Sequence, residues 1–414
     1  MVKKGYKQTE IGVIPEDWEI KYLSDFGKIQ SGGTPSTTMA EYWGGNIAWC
    51  TPSDITSTPT KYINATERTI TDAGLKNSAA TVMPAGSILL CTRATIGELK
   101  INSIPMATNQ GFKNITINNS GNAEFLYYLL QTKKNCMLDL AIGSTFLEIS
   151  KTALIKIPLQ IPMHDEQSKI ADALSDIDNL VVVLEKQIAK KKAIKQGTMQ
   201  ELLTGNRRLP GFSGEWETRT LHEISNEMVD GPFGSNLKTE HYTTERQVRI
   251  IQLSNIGEAG WNNANVKYTT FSHAAELQRC IVQPGSILIA KMMPAGRAII
   301  CPDNEKSYIL GSDVVKVVPN SSVDSRYLVY ATKSRFYLDQ IADDTQGSTR
   351  ARTSVSKLRK TAILFPEKDE QIAIADILSE MDMEIAALEG KIAKYRQIKQ
   401  GMMQQLLTGK IRIL

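Results

Sequence analysis

Cysteine and histidine are scarce in this sequence, which has five Cys and four His among its 414 residues. No two cysteines form the Cys-x-x-Cys pair that is typical of zinc sites and redox centres. An odd number of scattered cysteines also argues against a disulfide framework, so we expect the protein to be located in a reducing cytoplasm. Neither a metal site nor a disulfide-stabilised fold is predicted.

Long apolar runs are missing as well. Apolar runs such as residues 181–184 and 287–290 are much shorter than the ~20 residues that a membrane-spanning helix needs. The opening residues MVKKGYKQTEIG lack the apolar segment that follows the lysines of a secretory signal. We therefore expect no membrane partner.

Neither sign of charge is in large excess. The 48 Lys and Arg residues against 44 Asp and Glu residues give a net charge of +4 and a pI near 8.6. This mildly basic balance permits binding to nucleic acid but does not by itself indicate it.

The motifs of enzymes that act on DNA are absent. The sequence has no Asn/Asp-Pro-Pro-aromatic motif of an adenine methyltransferase, no GxxxxGK[ST] loop and no GxGxxG. Residues 302–306, PDNEK, resemble the acidic-plus-lysine signature of restriction-type nucleases, but their spacing is too short for it. A polar turn between two strands is the better interpretation. We predict a protein that binds and does not catalyse, with no catalytic residues and no cofactor of its own.

A duplication is the main feature that is present. Residues 165–205 and 369–409 are identical at 24 of 41 positions when they are aligned at an offset of 204. This offset is about half the chain and is far longer than the repeat of a solenoid. Because two similar half-sites on one long ligand require two similar readers, the duplication suggests a two-part binder.

Each copy has the periodicity of a coiled-coil helix. Apolar residues recur at alternating steps of four and three. Asp165 and Asp369 are candidate N-caps, and Gly205 and Gly409 are candidate helix stops. A helix of ~38 residues would be about 57 Å long at ~1.5 Å per residue. The predicted seam residues are Ile170, Leu174, Ile177, Val181, Leu184, Ile188, Ile374, Leu378, Met381, Ile385, Leu388 and Ile392.

Two arrangements would cover these seams. Each helix could fold against its own globular segment, or the two helices could pair with each other. We favour pairing, because a narrow apolar stripe suits one partner helix better than a broad core. An approximate twofold axis would make the pair antiparallel, and the coiled coil would then be a spacer.

The segments outside the helices are rich in short β-type runs separated by Gly, Pro, Ser, Thr and Asn. Their scaffolds echo each other, as in PAGSIL at residues 84–89 and PGSIL at residues 284–288, whereas the intervening loops differ. The predicted fold is α+β, with two similar globular domains and two long helices in a pseudo-twofold arrangement. The predicted bounds are 1–163 and 207–367 for the globular domains, and 164–206 and 368–414 for the helical regions.

The two ends of the sequence complement each other. The first helical copy continues as LLTGNRRLPGFSGEWE, whereas the second is followed only by KIRIL. The beginning of the chain, EIGVIPEDWE, matches the part that is missing. A nearly circular arrangement is therefore predicted, in which the N-terminus lies near the end of the second helix.

These features resemble the specificity subunit of type I restriction–modification systems. The resemblance lies in the two DEQ…IKQG…LLTG segments, the TEIGVIPEDWE opening and the two PxGSIL-type globular segments, and it extends over essentially the whole chain. It implies two target-recognition domains that each read one half of an asymmetric bipartite DNA site, with the coiled coil setting the gap. The alternative is a coiled-coil scaffold or adaptor that does not bind DNA.

The resemblance also implies partners. Double-stranded DNA, two methyltransferase (modification) subunits and, in the full complex, restriction subunits would bind this chain. S-adenosylmethionine, ATP and Mg would belong to those partners. Apolar helix positions outside the seam are candidates for the docking surface, with a local shift of the seam as the alternative: Ile194, Met199, Leu202, Leu203, Ile398, Met403, Leu406 and Leu407.

Side chains that can bind base edges occur in loops of both globular segments. Arg suits guanine, Asn and Gln suit adenine, and Ser and Thr suit either. The Gly-Ser-Thr stretches at residues 143–145 and 347–349 recur at the offset of 204, although a turn or an inter-domain contact would also explain them. For Arg93 and Lys291 the alternative is a solvated charge at a strand end. The candidates are Ser31, Gly32, Thr34, Ser36, Arg93, Asn109, Gln110, Ser144, Thr145, Ser235, Asn236, Lys291, Arg297, Ser348, Thr349, Arg350 and Arg352.

Overall fold

The chain divides into two units, and the first of them is discontinuous in sequence. The computed structural model describes residues 3–118, 121–143, 147–345 and 351–413. The first unit comprises residues 1–187 together with 389–414, and the second comprises residues 188–388. Each unit contains both sheets and helices, which confirms the predicted α+β class.

The first unit has short strands, as its frequent turn residues predicted. Its strands are β1 (Tyr6–Thr9), β2 (Gly12–Pro15), β3 (Glu19–Tyr22), β4 (Gly27–Ser31), β5 (Trp43–Cys50), β6 (Tyr62–Ile63), β7 (Arg68–Ile70), β8 (Ile88–Cys91), β9 (Leu99–Asn102), β10 (Met106–Thr108), β11 (Phe112–Ile117) and β12 (Pro158–Ile161). Its helices are α1 (Pro52–Ser57), α2 (Asp72–Lys76), α3 (Ala123–Thr132), α4 (Lys134–Asp139), α5 (Lys151–Leu154) and the beginning of α6 (His164–Leu202).

The second unit has a similar order of elements, with differences between the first and the last strands of its sheets. Its strands are β13 (Glu217–Thr220), β14 (Ser225–Asp230), β15 (Tyr242–Thr243), β16 (Val248–Ile251), β17 (Ile256–Gly257), β18 (Gly260–Trp261), β19 (Tyr268–Thr269), β20 (Ile281–Val282), β21 (Ile287–Ala290), β22 (Ala298–Ile300), β23 (Tyr308–Leu310), β24 (Val314–Pro319) and β25 (Ala362–Phe365). Its helices are α7 (Phe271–Glu276), α8 (Ser325–Ala331), α9 (Arg335–Thr345), α10 (Val355–Lys360) and the beginning of α11 (Lys368–Leu406).

The main sheets of the two units have the same topology and register. The first unit contains the order β4-β11-β8-β9, and the second contains β14-β24-β21-β22, with all neighbours antiparallel. In the first unit Phe112 pairs with Cys91, and in the second Val314 pairs with Ala290. Apart from an irregularity in β14 between Ser225 and Glu227, the strands match residue by residue, so loops at the same edge of the two sheets are equivalent.

The long helices have almost the predicted bounds. Gly205 and Gly409, which follow them, have φ values of +73° and +68°, the left-handed conformation that ends helices. Both predicted N-caps are wrong by two residues. Asp165 and Asp369 lie inside the first turns, because the helices begin at His164 and Lys368. There their carboxylates still interact favourably with the positive end of the helix dipole.

Each globular core includes the beginning of one long helix and the end of the other. In the first unit Ile170 and Leu174 of α6 are buried with Leu406 and Leu407 of α11. In the second unit Ile374 and Leu378 of α11 are buried with Leu202 and Leu203 of α6. These four leucines are therefore core residues and are not available as a docking surface.

Candidate nucleic-acid interface

In the first unit, loops far apart in sequence leave the main sheet at one edge. Strand β11 begins between the last residues of β4 and β8, as Lys113 pairs with Ser31 and Phe112 with Cys91. The loops that begin at residues 32 and 92 therefore lie on either side of the loop that precedes Phe112. We call this edge the first edge. It brings together Ser31, Thr34, Arg93, Asn109 and Gln110, which the sequence predicted separately.

The loops of the first edge hold one another in place. Thr34 Oγ1 donates a hydrogen bond to Gln110 Oε1, and both side chains are exposed. Asn109 Oδ1 accepts from the amide of Gly111 at 2.9 Å, so its amide group shapes the turn beside Gln110. Gly32 is buried, and a Cβ atom there would lie 2.1 Å from the Asn109 carbonyl oxygen. Gly32 therefore allows the close packing, while Thr34 and Gln110 face solvent.

Arg93 lies at the same edge and is half-buried. Its backbone pairs with that of Glu148, and its neighbour Thr92 accepts a hydrogen bond from the Ile149 amide at 3.0 Å. Ile142 also pairs with Glu148, so the loop carrying the first Gly-Ser-Thr stretch begins and ends at this edge. Ser144 and Thr145 themselves lie outside the described residues. Ser36 is exposed, and its hydroxyl is 2.9 Å from Thr38 Oγ1.

The second unit has an equivalent edge with different chemistry. We call it the second edge, and it lies where β14 and β21 end on either side of the start of β24. Lys291 Nζ lies 2.5 Å from Asp230 Oδ1, and the lysine is only 5% exposed. Its ammonium is thus committed to an ion pair that joins the ends of the two strands. Lys291 is therefore neither free to contact a base nor a solvated charge at a strand end, which was the alternative interpretation of the sequence.

A second ion pair supports the second edge. Arg352 Nη2 lies 2.8 Å from Asp313 Oδ1, and both residues keep part of their surface in solvent. The Thr353 amide donates to the Lys291 carbonyl at 2.8 Å, and Met292 pairs with Arg352. Ser348, Thr349 and Arg350 lie outside the described residues.

A cleft of about 660 Å³ opens beside this edge. Arg297 lines it, and the Arg297 guanidinium donates to the carbonyl of Met293. Ser235 and Asn236 are exposed in the nearby loop, where Ser235 Oγ donates to Asn236 Oδ1 at 3.2 Å. The cleft also exposes hydrogen-bonding groups that sequence reasoning did not select, on Gln252, Ser254, Asn262 and Ser312.

Sequence reasoning also missed two apolar side chains at the second edge. Phe233 is 83% exposed in the loop after β14, and Met293 is 71% exposed in the loop after β21. No sequence pattern distinguishes an exposed Phe or Met from a buried one in an isolated loop. Only the strand register indicates that they lie on the same edge.

The segment PDNEK at residues 302–306 is a turn between β22 and β23, as interpreted from the sequence. Glu305 accepts from Arg246 at 2.8 Å and from the Tyr268 hydroxyl at 3.0 Å, which is a structural role. No group of three or more metal-ligating side chains occurs within the described ranges. Among the same residues, no helix is long and apolar enough to cross a membrane.

A buried glutamate at the third position of each long helix organises the junction with its globular part. Glu166 accepts from Arg412 at 2.6 and 2.7 Å and from the Trp18 indole at 3.1 Å. In the second unit Glu370 accepts from Arg208 at 2.8 and 2.7 Å and from Trp216 at 3.3 Å.

The first of these junctions joins the two ends of the chain. Arg412 also binds Asp17 at 2.8 and 2.7 Å, and this hydrogen-bonded pairing holds the pKa of Asp17 below its usual value. The Tyr6 hydroxyl donates to the Gly409 carbonyl at 3.0 Å. These contacts confirm that the N-terminus lies near the end of the second helix.

Within each unit the two long helices pair in opposite directions. In the first unit Asp178 of α6 binds Lys399 of α11 at 2.6 Å, and the later Glu185 binds the earlier Arg396 at 2.7 Å. In the second unit Lys191 binds Glu384 at 2.5 Å, and the later Lys195 binds the earlier Asp382. All twelve predicted seam residues are buried or half-buried. Both predicted arrangements therefore occur. The first seam residues of each helix pack in a globular core, and the later ones lie between the two paired helices.

A tyrosine beside each helix pair repeats as well. The Tyr128 hydroxyl donates to Asp178 at 2.7 Å, and the Tyr330 hydroxyl donates to Asp382 at 2.8 Å. Burial and the adjacent Asp382 raise the pKa of Tyr330 to about 12, so it remains a donor at neutral pH.

In the first unit this group also includes Lys61, which directly precedes β6. Lys61 is buried and binds Glu124 at 2.7 Å and Ser175 of α6 at 2.5 Å. Burial acts to raise the pKa of Glu124, but hydrogen bonds from Lys61, Ser175 and Tyr62 outweigh it and hold the pKa below its usual value.

Comparisons with known proteins agree with this geometry. The type I restriction modification DNA specificity domain matches residues 15–196 and 214–397. The MjaIX specificity subunit of Methanocaldococcus jannaschii is 27% identical over 99% of this chain and 96% of its own length. The EcoR124I/EcoR124II specificity subunit of Escherichia coli is 25% identical over 46% of this chain and 47% of its own length.

Solved structures share the fold. The specificity subunit of the type I system from M. genitalium has a TM-score of 0.58 at 15% identity, covering 94% of this chain and 96% of that one. A chain from a study of type I complex assembly and conformational transition has a TM-score of 0.59 at 15% identity, covering 96% of this chain and 99% of that one. Two copies of the family's domain in one chain thus account for both the repeated junctions and the different edges. The chain belongs to the type I restriction–modification DNA specificity family, as a specificity subunit that has no catalytic activity or cofactor of its own.

Proposed function

We propose that each unit reads one half of an asymmetric, bipartite site in double-stranded DNA, and that the paired helices set the gap between the halves. The observation that carries this proposal is the contrast between the four corresponding strands of the two main sheets and the different side chains at their edges. Two readers with different side chains at equivalent positions select two different sequences, because hydrogen-bond donors and acceptors at base edges carry the sequence information. We also propose the division into domains at 1–163, 164–206, 207–367 and 368–414.

The proposed contacts at the first edge are Thr34, Gln110 and Arg93, with Ser31, Ser36, Asn109, Ser144 and Thr145 as further candidates. At the second edge they are Arg297, Asn236 and Ser235, with Arg352, Ser348, Thr349 and Arg350 as further candidates. We assign Gly32 and Lys291 supporting roles, since the first is buried against a backbone and the second is buried in an ion pair.

A methylation map tests this assignment. The chain would be co-expressed with its methyltransferase subunit in a host without DNA methylation, and N6-methyladenine would be located across the genome. Marks at one gapped motif with unlike halves, absent without this chain, are expected. Marks at a continuous motif, or marks that persist without the chain, would support a scaffold that does not read DNA.

Two substitutions assign the halves. Arg93→Ala should relax or abolish recognition in one half only, and Arg297→Ala in the other, because each arginine lies at one edge. Loss of a specific base contact costs ~1–3 kcal/mol of discrimination, which is about 5-fold to 150-fold. The control is Arg335→Ala in α9, a 91% exposed arginine whose ion pair with Asp339 is on the helix surface. A uniform loss of binding in all three variants would exclude base reading by these residues.

We further propose that two methyltransferase subunits dock on the long helices in the cytoplasm, and that restriction subunits join that complex. Ile194 and Ile398 occupy equivalent positions of the repeat and remain 49% and 39% exposed. A repeated apolar side chain left in solvent suits a partner that binds twice.

Charged substitutions test the docking. Ile194→Glu and Ile398→Glu should each remove one methyltransferase subunit, changing a 2:1 assembly to 1:1 in analytical ultracentrifugation. The control is Leu338→Glu, an exposed leucine of α9. Retention of two subunits by both isoleucine variants would place the docking surface elsewhere.

A further inference from the structure

Two apolar side chains occupy the positions of the second edge where the first edge has a polar and a small residue. The register makes Phe233 equivalent to Thr34, since each is the third residue after the strand that ends at Asp230 or Ser31. Met293 is equivalent to Ala94, since each is the third residue after Ala290 or Cys91. Phe233 and Met293 are the most exposed large apolar residues described in the second unit.

The loops that carry them are firmly held. Gly231 donates its amide to the Val314 carbonyl at 3.0 Å, and a Cβ atom on it would lie 1.9 Å from the Gly311 carbonyl oxygen. Leu237 at the other end of the same loop is buried. The Lys291–Asp230 ion pair joins this loop to the one that carries Met293. Strands β14 and β21 flank β24, so the two loops leave the sheet ~10 Å apart.

Backbone conformation also favours a specific role for Met293. Its φ is +57° and that of Ala94 is +63°, a left-handed conformation that residues other than glycine adopt at a cost. Both units therefore have a left-handed residue at this position, and the second unit places a large apolar side chain there. Arg297 hydrogen-bonds the Met293 carbonyl, so a possible guanine-binding group adjoins the apolar one.

We propose that Phe233 and Met293 bind the C5 methyl group of thymine in the half-site that the second unit reads. This inference rests on the proposed function and adds a ligand group to it. The thymine methyl is the apolar group that base pairs present in the major groove, and apolar side chains recognise it there. An exposed Phe and Met flanked by Asn236 and Arg297 match such a mixture of apolar and hydrogen-bonding groups.

The experiment removes the methyl group without changing any hydrogen bond. The complete chain in complex with its methyltransferase subunits would be titrated with duplexes that carry its site, with each thymine in turn replaced by deoxyuridine. At one or two positions of a single half-site, binding should weaken about fourfold per methyl, the value for ~0.8 kcal/mol from a buried group of that size.

Two substitutions copy the first unit and so preserve the loops. Phe233→Thr and Met293→Ala place the residues of the first edge on the same backbone, and each should abolish the difference between thymine and deoxyuridine at its position. The matched control, Phe271→Ala, removes an exposed phenylalanine of α7 and should leave that difference unchanged.

The inference would be overturned by a site that binds equally well with deoxyuridine throughout, by a methyl effect that persists in the double variant, or by a second half-site without thymine. A DNA bend that is lost in Phe233→Thr with no methyl dependence would also overturn it and would indicate an intercalating wedge. Failure of the proposed function is distinguishable, because then the unsubstituted site itself would not be bound specifically.

Discussion

At the start of each long helix a buried glutamate binds one arginine and one tryptophan, whereas the side chains at the two sheet edges have little in common. The first edge presents hydroxyl and amide groups with Arg93, and it also has the Lys113–Glu148 ion pair and the exposed side chains of Ile142 and Leu147. The second is built on two ion pairs and has two exposed apolar side chains. A duplicated chain thus keeps the contacts that position its parts and varies the contacts that face a ligand.

The largest expected effect is a loss of stability that is confined to one of the two units. Leu407→Ala should destabilise the first unit and Leu203→Ala the second, each by ~2–5 kcal/mol, because both side chains are fully buried. Hydrogen exchange resolved by peptide would report it, with faster exchange confined to one unit in each variant. Leu180→Ala, at an exposed position of α6, is the control. Faster exchange in the wrong unit would contradict the assignment of the helix ends.

A smaller effect would test the repeated tyrosines. Tyr128→Phe and Tyr330→Phe each remove a hydrogen bond to a carboxylate, which contributes about 1.5–3 kcal/mol. Equal losses in denaturant unfolding would establish that the two junctions are energetically equivalent. A much larger loss for Tyr128→Phe would instead show that the Lys61 and Glu124 group acts together with it.

Acid should distinguish the two units. The folded-state pKa of Glu124 lies below its unfolded value of about 4.5, so its ion pair stabilises the first unit above that pH. The contribution is lost as the pH falls through and below this value. Glu124→Gln should therefore flatten the acid side of the stability profile of the first unit, measured by tryptophan fluorescence between about pH 3 and 7. An unchanged profile would mean that other carboxylates dominate.

The smallest effect concerns ion pairs on the surface of the paired helices. Lys191→Ala in the second unit and Arg396→Ala in the first remove pairs on the helix surface that are largely exposed. Each should change stability by no more than ~1 kcal/mol, and still less at high salt. A loss of several kcal/mol from either variant in thermal unfolding would indicate that the helix pair depends on surface charge.

Helices were more predictable than loops because their signal is periodic and repeated. The alternating steps of four and three predicted both long helices within a few residues, and Gly205 and Gly409 marked their ends. The Asp165 and Asp369 caps were misplaced because an acidic residue is favourable both at the cap and in the first turn.

The candidate site was only partly predictable, because its residues come together through strand register. Thr34 and Gln110 were selected by residue type, but their hydrogen bond depends on the pairing of β4 with β11. Lys291 was selected as a cation, and its partner Asp230 is 61 residues away in sequence. Phe233 and Met293 were missed because loop apolar residues have no periodic signal.

The discontinuity of the first unit has a consequence for synthesis on the ribosome. Its core needs Leu406 and Leu407, which are translated about 200 residues after the rest of that unit ends at residue 187. At about 5–20 residues per second, the first 187 residues remain without these two core leucines for ~10–40 s after their own synthesis. The second unit, which is contiguous, is complete before the first, although its synthesis begins later. The last core contacts of the first unit therefore form after the second unit has been synthesised.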